Sequence, residues 1–241
     1  EVIINRSRDI NGLIYTNNET KFSFTEEEKN YCFNELTKIG WKKGDKIICL
    51  LVRDDEYLKH YHDQNNTSFK YHDYRNSDIK EYFQGIDILV QKKYWVFRMG
   101  KLMSQKAKYK SKYFIDYAFC NIKSDLMDIW LCANCDGCIS TGTGPDMISY
   151  IYQKPILFIN FLPLYHYWSF GASITSFKRL FWKNSNMPLT LKEYIDHSYL
   201  DYNKYIENGI KIRDLSSTEI QKTIQEFVFF IEKGYHKKSK R

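Results

Sequence analysis

The sequence predicts an α/β fold: one parallel sheet with helices on both faces. Three observations carry that expectation. Short continuous apolar runs, the pattern of strands buried on both sides, occur at Lys46–Val52 (KIICLLV), Tyr94–Met99 (YWVFRM), Asp136–Ser140 and Pro155–Asn160 (PILFIN). Helical patterns separate them at Asp78–Lys92, Ser124–Asn134 and Pro145–Gln153. The chain is 43% apolar and 27% charged, which excludes general disorder and supplies a core at this length. Alternating strands and helices wind into parallel pairs, and a ligand of such a sheet sits beyond the carboxyl ends of its strands.

Each element has local reasons. Residues 1–20, with Arg6-Ser7-Arg8, Gly12 and Asn17-Asn18, have a loop composition with room for one short strand. Thr25 followed by Glu26, Glu27 and Glu28 is a capping box that opens a helix, and Gly40 ends it. Ile79, Tyr82, Phe83, Ile86 and Leu89 share one face of the next helix. Ser124 caps the third, and Pro145 sits in the first turn of the fourth. After Leu162 the pattern weakens. Leu191–Ile195 and Ser217–Lys233 are expected helices, the latter opened by Ser217 and Glu219, and Lys211–Arg213 is a candidate strand.

Composition narrows the function classes. No run of about 18 uncharged apolar residues occurs, so no membrane-spanning helix is expected. The net charge of +7 owes four charges to Lys237, Lys238, Lys240 and Arg241. Nucleic acid is therefore not an expected partner, whereas a basic tail allows peripheral contact with an anionic membrane. Lysines 106, 108, 110 and 112 fit a solvated loop. The six cysteines lie largely in apolar runs, as reduced thiols in a cytoplasmic setting do. Cys132-x-x-Cys135-x-x-Cys138 has a metal-like spacing, but it crosses from a helix end into an apolar strand, so core packing is the expectation. His60, His62 and His72 are the other metal-ligand types, and no metal site is expected there either.

The loops at the carboxyl ends of the strands carry the chemistry. Val52-Arg53-Asp54-Asp55-Glu56-Tyr57 puts a guanidinium at a strand tip, where it can grip a phosphate through two hydrogen bonds. Tyr71-His72-Asp73-Tyr74-Arg75-Asn76-Ser77-Asp78 is dense in groups that bind sugar hydroxyls or phosphate, with a helix cap as the other reading of Ser77 or Asp78. Ser140-Thr141-Gly142-Thr143-Gly144-Pro145-Asp146 lies between a strand and a helix, where hydroxyls and backbone N–H groups favour an anion, a plain tight turn being the other reading. It is neither a Walker loop nor a dinucleotide fingerprint.

Three stretches, IICLLVRDDEYL, YHDYRNSDIKEYFQGIDILVQKKYWVFRMG and SDLMDIWLCANCDGCISTGTGPDMISYIYQKPILFINFLPL, with the later YIENGIKIRDLSSTEI, resemble a family of bacterial glycosyltransferases of surface-polysaccharide gene clusters. The resemblance spans roughly Phe24 to Phe227. More remotely, the Val-Arg-Asp strand end is similar to the His-x-Arg loop of fucosyltransferase-type enzymes, with Leu51 standing where a His is usual. The resemblance implies a Rossmann-like donor domain of the two-domain GT-B type, acting without a metal or other cofactor on a nucleotide-sugar donor and a glycan or lipid-linked acceptor. It implies that Arg53 meets the donor diphosphate and that Ser140, Thr141, Gly142, Thr143 and Gly144 line the same pocket. Tyr57, His72, Arg75, Arg98 and Gly100 join them as donor-binding candidates, and Asp54 and Asp73 are the candidate bases. A non-catalytic nucleotide- or glycan-binding module is the alternative.

The expected organisation is an N-terminal segment at 1–44, a remnant of an acceptor domain. A nucleotide-sugar-binding domain follows at 45–165, and a mainly helical extension at 166–241 completes it. Because the chain opens on Glu1 rather than Met and only residues 1–45 precede the first donor-domain strand, further acceptor-domain chain ahead of it is expected.

Overall fold

Six parallel strands form the centre of the computed structural model, which describes residues 22–65, 70–167 and 171–233. The strands are β1 (Ile47–Leu51), β2 (Trp95–Arg98), β3 (Phe114–Ile115), β4 (Gly137–Ser140), β5 (Ile156–Phe161) and β6 (Ser173–Phe177). Their spatial order is β3-β2-β1-β4-β5-β6, the doubly wound Rossmann-like arrangement. The order reverses between β1 and β4, which pair directly, Cys49 opposite Cys138 and Leu51 opposite Ser140.

Both faces are covered, as the fully buried apolar strands require. On one face lie α1 (Glu26–Lys38), α4 (Asp125–Asn134) and α5 (Asp146–Ile151), whose Leu36, Trp130 and Tyr150 pack with Cys49, Phe97 and Phe158. On the other lie α3 (Phe83–Gln91) and α8 (Ser217–Glu232), whose Ile86, Ile224 and Phe227 pack with Ile48, Val96 and Leu157. Each fully buried Ile or Phe of this kind contributes about 1.5–3 kcal/mol. Gly137 makes the approach of α8 possible, because a Cβ there would sit 2.9 Å from the Phe227 ring.

The caps follow the sequence closely. Thr25 and Glu28 form the capping box of α1, and Ser124 caps α4 through the Met127 N–H. The α8 box uses Ser216 with Glu219, one residue before the expected start. The expected helix at Asp78–Lys92 begins as a tighter 3₁₀ turn, Ile79–Tyr82, before α3. Cys49, Cys132, Cys135 and Cys138 are all buried in the first core cluster. Burial pushes the Cys49 and Cys138 thiols well up, as for inert packing groups.

Three expected loops hold additional elements. The segment after β1 contains α2 (Glu56–Asn65) and a 3₁₀ turn, Lys70–Arg75. The segment after β2 contains the two-residue β3. Beyond residue 166 the chain adds more than helix: β6 of the main sheet, then β7 (Arg179–Trp182) and β8 (Ile210–Arg213), which pair antiparallel. The helices α6 (Leu191–Asp196) and α7 (Tyr202–Glu207) lie between those two strands in sequence. Leu180, Leu189, Tyr205 and Ile210 form a third, smaller core with Tyr74 and Leu162. Residues 1–21, including Arg6 and Arg8, and the basic residues Lys237 to Arg241 lie outside the described residues.

Candidate functional site

The crevice of a doubly wound sheet opens where strand order reverses, above the carboxyl ends of β1 and β4. Here β1 exits through Val52 into Arg53, and β4 exits into Thr141–Gly144. The two exits are stitched together. The Thr141 N–H donates to the Leu51 carbonyl at 3.0 Å, and the Arg53 N–H donates to Thr141 Oγ1 at 3.1 Å. The strand-tip arginine and the glycine–hydroxyl turn therefore occupy one rim.

A third segment closes on them. The Ser77 N–H donates to the Arg53 carbonyl at 3.0 Å, and Arg75 Nη2 donates to the Gly142 carbonyl. Gly142 holds a φ of +84°, and a Cβ there would lie 2.9 Å from the Phe161 ring, so both its backbone and its contacts require glycine. Arg53 is half-buried, and its guanidinium forms no hydrogen bond or ion pair among the described residues. Burial, then the neighbouring Arg75 guanidinium, push it down to about 10. Burial, then Arg75 and Arg53, push His72 down to about 4, so its imidazole is neutral at pH 7.

Four buried polar atoms in the segments that carry Arg75 and the turn beside it, His72 Nδ1, Tyr74 Oη, Asn76 Oδ1 and Thr143 Oγ1, have no hydrogen-bond partner among the described residues. Leaving a buried polar atom unsatisfied costs about 1–3 kcal/mol, so several together mark a place where something polar completes them.

The turn itself differs from expectation. Ser140 Oγ donates to Asp146 Oδ2 at 2.6 Å, the Thr143 N–H donates to the same oxygen at 2.7 Å, and the Gly142 N–H donates to Ser140 Oγ at 3.0 Å. The two N–H groups expected to meet an anion are thus taken by the chain's own buried carboxylate and hydroxyl. Burial raises the Asp146 pKa. The helix that follows has only six residues, so it adds no anion site of its own. What remains of the turn is the Thr143 hydroxyl, the open Gly144 and the Gly142 carbonyl that orients Arg75.

The other candidates divide. Asp54 accepts the Glu56 N–H at 3.1 Å, where it starts α2, and both the N–H and Oγ of Ser104 at 2.9 Å, where it pins the loop after β2. Asp73 is exposed, lies within electrostatic reach of Arg53, and its carboxylate has no hydrogen bond among the described residues. Tyr57 is exposed on α2, stacked on Tyr61 with ring centroids 6.5 Å apart. Arg98 is not in the crevice: it is 2% exposed, with Nη1 donating to the Gln105 carbonyl at 2.9 Å and to Asp116 at 3.2 Å. The Gly100 carbonyl accepts Lys123 Nζ at 2.7 Å. The tip of β2 is therefore structural.

A buried network supports the site from behind. Lys178, 2% exposed, donates to the Asn76 carbonyl at 2.7 Å and to Asp214 Oδ1 at 2.6 Å. Burial lowers its ammonium pKa and Asp214 opposes that shift. Asn160, at φ +54° where the β5–β6 register shifts, accepts the Leu215 N–H at 2.7 Å and donates to Ser77 Oγ at 2.9 Å. These contacts hold the His72–Asn76 segment against the ends of β5 and β6. The sequence signal was a lone Asn in the apolar run PILFINFLPL.

Two grooves lie elsewhere. One of about 570 Å³ runs between β6, β7, α6 and α8, and one of about 510 Å³ lies at the amino-terminal rim near Lys46, Tyr94 and Asp136. Among the described residues no group of three or more His, Cys, Asp or Glu side chains is placed to hold a metal ion, and no helix is long and apolar enough to cross a membrane. None of the protein-family models, curated proteins or solved structures compared with this chain matches it.

Proposed function

We propose that the crevice binds the diphosphate of a nucleotide sugar and that the chain is the donor-binding part of a glycosyltransferase of the two-domain GT-B type. One observation carries this reading. Two guanidiniums, Arg53 and Arg75, share the switch-point rim, and among the described residues Arg53 has no bonded acid and the adjoining segments leave four buried polar atoms unpartnered. Like charges held together in a half-buried site favour an anion of at least two charges.

In this reading Arg53 takes the diphosphate through a two-pronged contact, and Arg75, held by the Gly142 carbonyl, neutralises the second phosphate. The cationic side chains stabilise the leaving diphosphate directly, without a metal ion. Neutral His72, with Tyr74 and Asn76, offers hydrogen bonds to sugar hydroxyls. Asp73 is the candidate base for the acceptor hydroxyl, because Asp54 is fully engaged in holding the chain. The acceptor is a glycan or lipid-linked saccharide of cell-surface polysaccharide synthesis, at the cytoplasmic face of the membrane.

The internal saturation of the Ser140–Gly144 turn favours a second reading, a nucleotide-binding module without turnover. Calorimetric titration with nucleoside diphosphates tests the shared claim: saturable binding is expected, weakened by roughly 1.5–3 kcal/mol in Arg53→Ala, the range for a charged hydrogen bond. Unchanged affinity in that variant overturns it. Sugar transfer, assayed with nucleotide sugars, separates enzyme from module.

A further inference from the structure

The loop from Lys101 to Tyr113 has a built pattern that diphosphate binding does not use. Between Gly100 and Ile115 it carries five lysines and no acid. Lys106, Lys108, Lys110 and Lys112 are all exposed, while the alternate residues Ala107, Tyr109, Ser111 and Tyr113 are half-buried. Those alternate residues are anchored. The Ala107 N–H donates to Asp116 Oδ2 at 2.7 Å, and Tyr109 Oη donates to Asp87 Oδ1 at 2.6 Å. The Tyr109 ring lies against Phe83 and Phe114, and Tyr113 lies edge-on to Trp95. The fold therefore holds four ammonium groups as a comb, with Cα atoms of successive teeth at most about 7 Å apart. None of the four forms an ion pair among the described residues.

We propose that this comb is a docking face for a membrane surface of anionic lipid. Two features select a lipid surface over a nucleic acid. The rings between the lysines are already engaged, Tyr109 by Phe83 and Phe114 and Tyr113 by Trp95 and by Lys112 Nζ 4.7 Å from its centroid, so neither offers a free platform for base stacking. Beside the comb, Lys106 Nζ lies 5.9 Å from the centroid of Phe119, a ring that is 38% exposed. On an anionic interface that lysine engages a headgroup, and the ring enters the boundary between headgroup and chain. The proposal does not depend on the diphosphate site.

The test is co-sedimentation of the full chain with vesicles of phosphatidylcholine alone or with about 30% phosphatidylglycerol, which makes the surface anionic. The comparison is with a variant in which Lys106, Lys108, Lys110 and Lys112 are all changed to Gln. All four side chains are exposed, so the variant should fold; circular dichroism and thermal melting check this. The basic tail is common to both proteins, so the difference reports on the comb alone. Expected is binding to anionic vesicles only, at least about tenfold weaker in the quadruple variant and weakened by salt. Phe119→Ser should weaken it several-fold without changing its salt dependence. Equal binding by variant and parent, equal binding to neutral vesicles, or lysine-dependent binding to single-stranded nucleic acid without vesicle binding would each overturn the proposal.

Discussion

Two arginines close neighbouring strands, and they have opposite fates. Arg98 ends β2 and is fully enclosed, with Asp116 and the Gln105 carbonyl bonded to its guanidinium. Arg53 follows β1, is half-buried, is bonded to no acid among the described residues, and has the Arg75 guanidinium as its strongest charged neighbour, with Asp73 a weaker opposing one. Their local sequences, WVFRMG and LLVRDD, promise the same thing, an arginine at a strand tip. The difference lies in what the next segments deliver. The loop after β2 returns Asp116, whereas the segment after β1 returns Arg75. A paired buried charge belongs to the structure, and a half-buried charge that faces its own kind is poised for a ligand.

Mutation should separate the two most sharply at Arg98. Arg98→Ala leaves Asp116 without its cation and should lower stability by about 3–5 kcal/mol in urea unfolding. Binding of nucleoside diphosphates by the folded fraction should be unchanged. Arg53→Ala should do the reverse, losing the roughly 1.5–3 kcal/mol of binding stated above while stability stays within about 0.5 kcal/mol or rises, because a like-charge contact is relieved. If Arg53→Ala unfolds the protein as readily as Arg98→Ala, the contrast fails.

Gly142→Ala sits between the two cases. Its positive φ and the Phe161 ring oppose a Cβ, and its carbonyl orients Arg75. A loss of more than about 1 kcal/mol of stability is expected, accompanied by weaker diphosphate binding. Stability lost with binding intact would show that the turn is only a scaffold.

At neutral pH the smallest expected effect is at His72, whose contribution emerges only as a pH dependence below 6.5. Its folded-state value of about 4 lies below the ordinary 6.5, so the unfolded chain takes up this proton first. The native state is then at no disadvantage above pH 6.5 and becomes progressively destabilised as pH falls towards 4. His72→Asn should flatten that part of the urea-midpoint profile. A bound diphosphate supplies the negative charge that Arg53 and Arg75 lack, which favours the imidazolium. Binding near pH 5 should therefore take up a proton, read as a buffer-dependent enthalpy in calorimetry. A buffer-independent enthalpy would place the anion away from His72.

Much of the sheet was legible because its strands are continuous apolar runs, and the helix starts at Thr25 and Ser124 carry their own caps. What escaped notice depends on tertiary partners. In α2, EYLKHYHDQN presents no continuous apolar face, and its start is secured by Asp54. In β3 there are two residues, recognisable only by pairing with β2. In β6, SITSF is a half-buried edge that looks like loop. At the site, Arg53 and the Gly142 turn were visible as types in sequence, but Arg98 could be set apart from Arg53 only through Asp116, which folding brings beside it. The satisfied turn was nearer to hand: Thr143 and Asp146 stand at capping distance in TGPD, and that carboxylate fills the place an anion was expected to take. Lys178 and Asp214, 36 residues apart, meet only because β7 and β8 pair.

A crystal of the chain soaked with a nucleoside diphosphate tests the central claim most directly. The account predicts phosphate oxygens within hydrogen-bonding reach of both the Arg53 and Arg75 guanidiniums, above the carboxyl ends of β1 and β4. A diphosphate seated instead in the groove by Lys46 and Asp136, or in the one between β6 and α8, would contradict it.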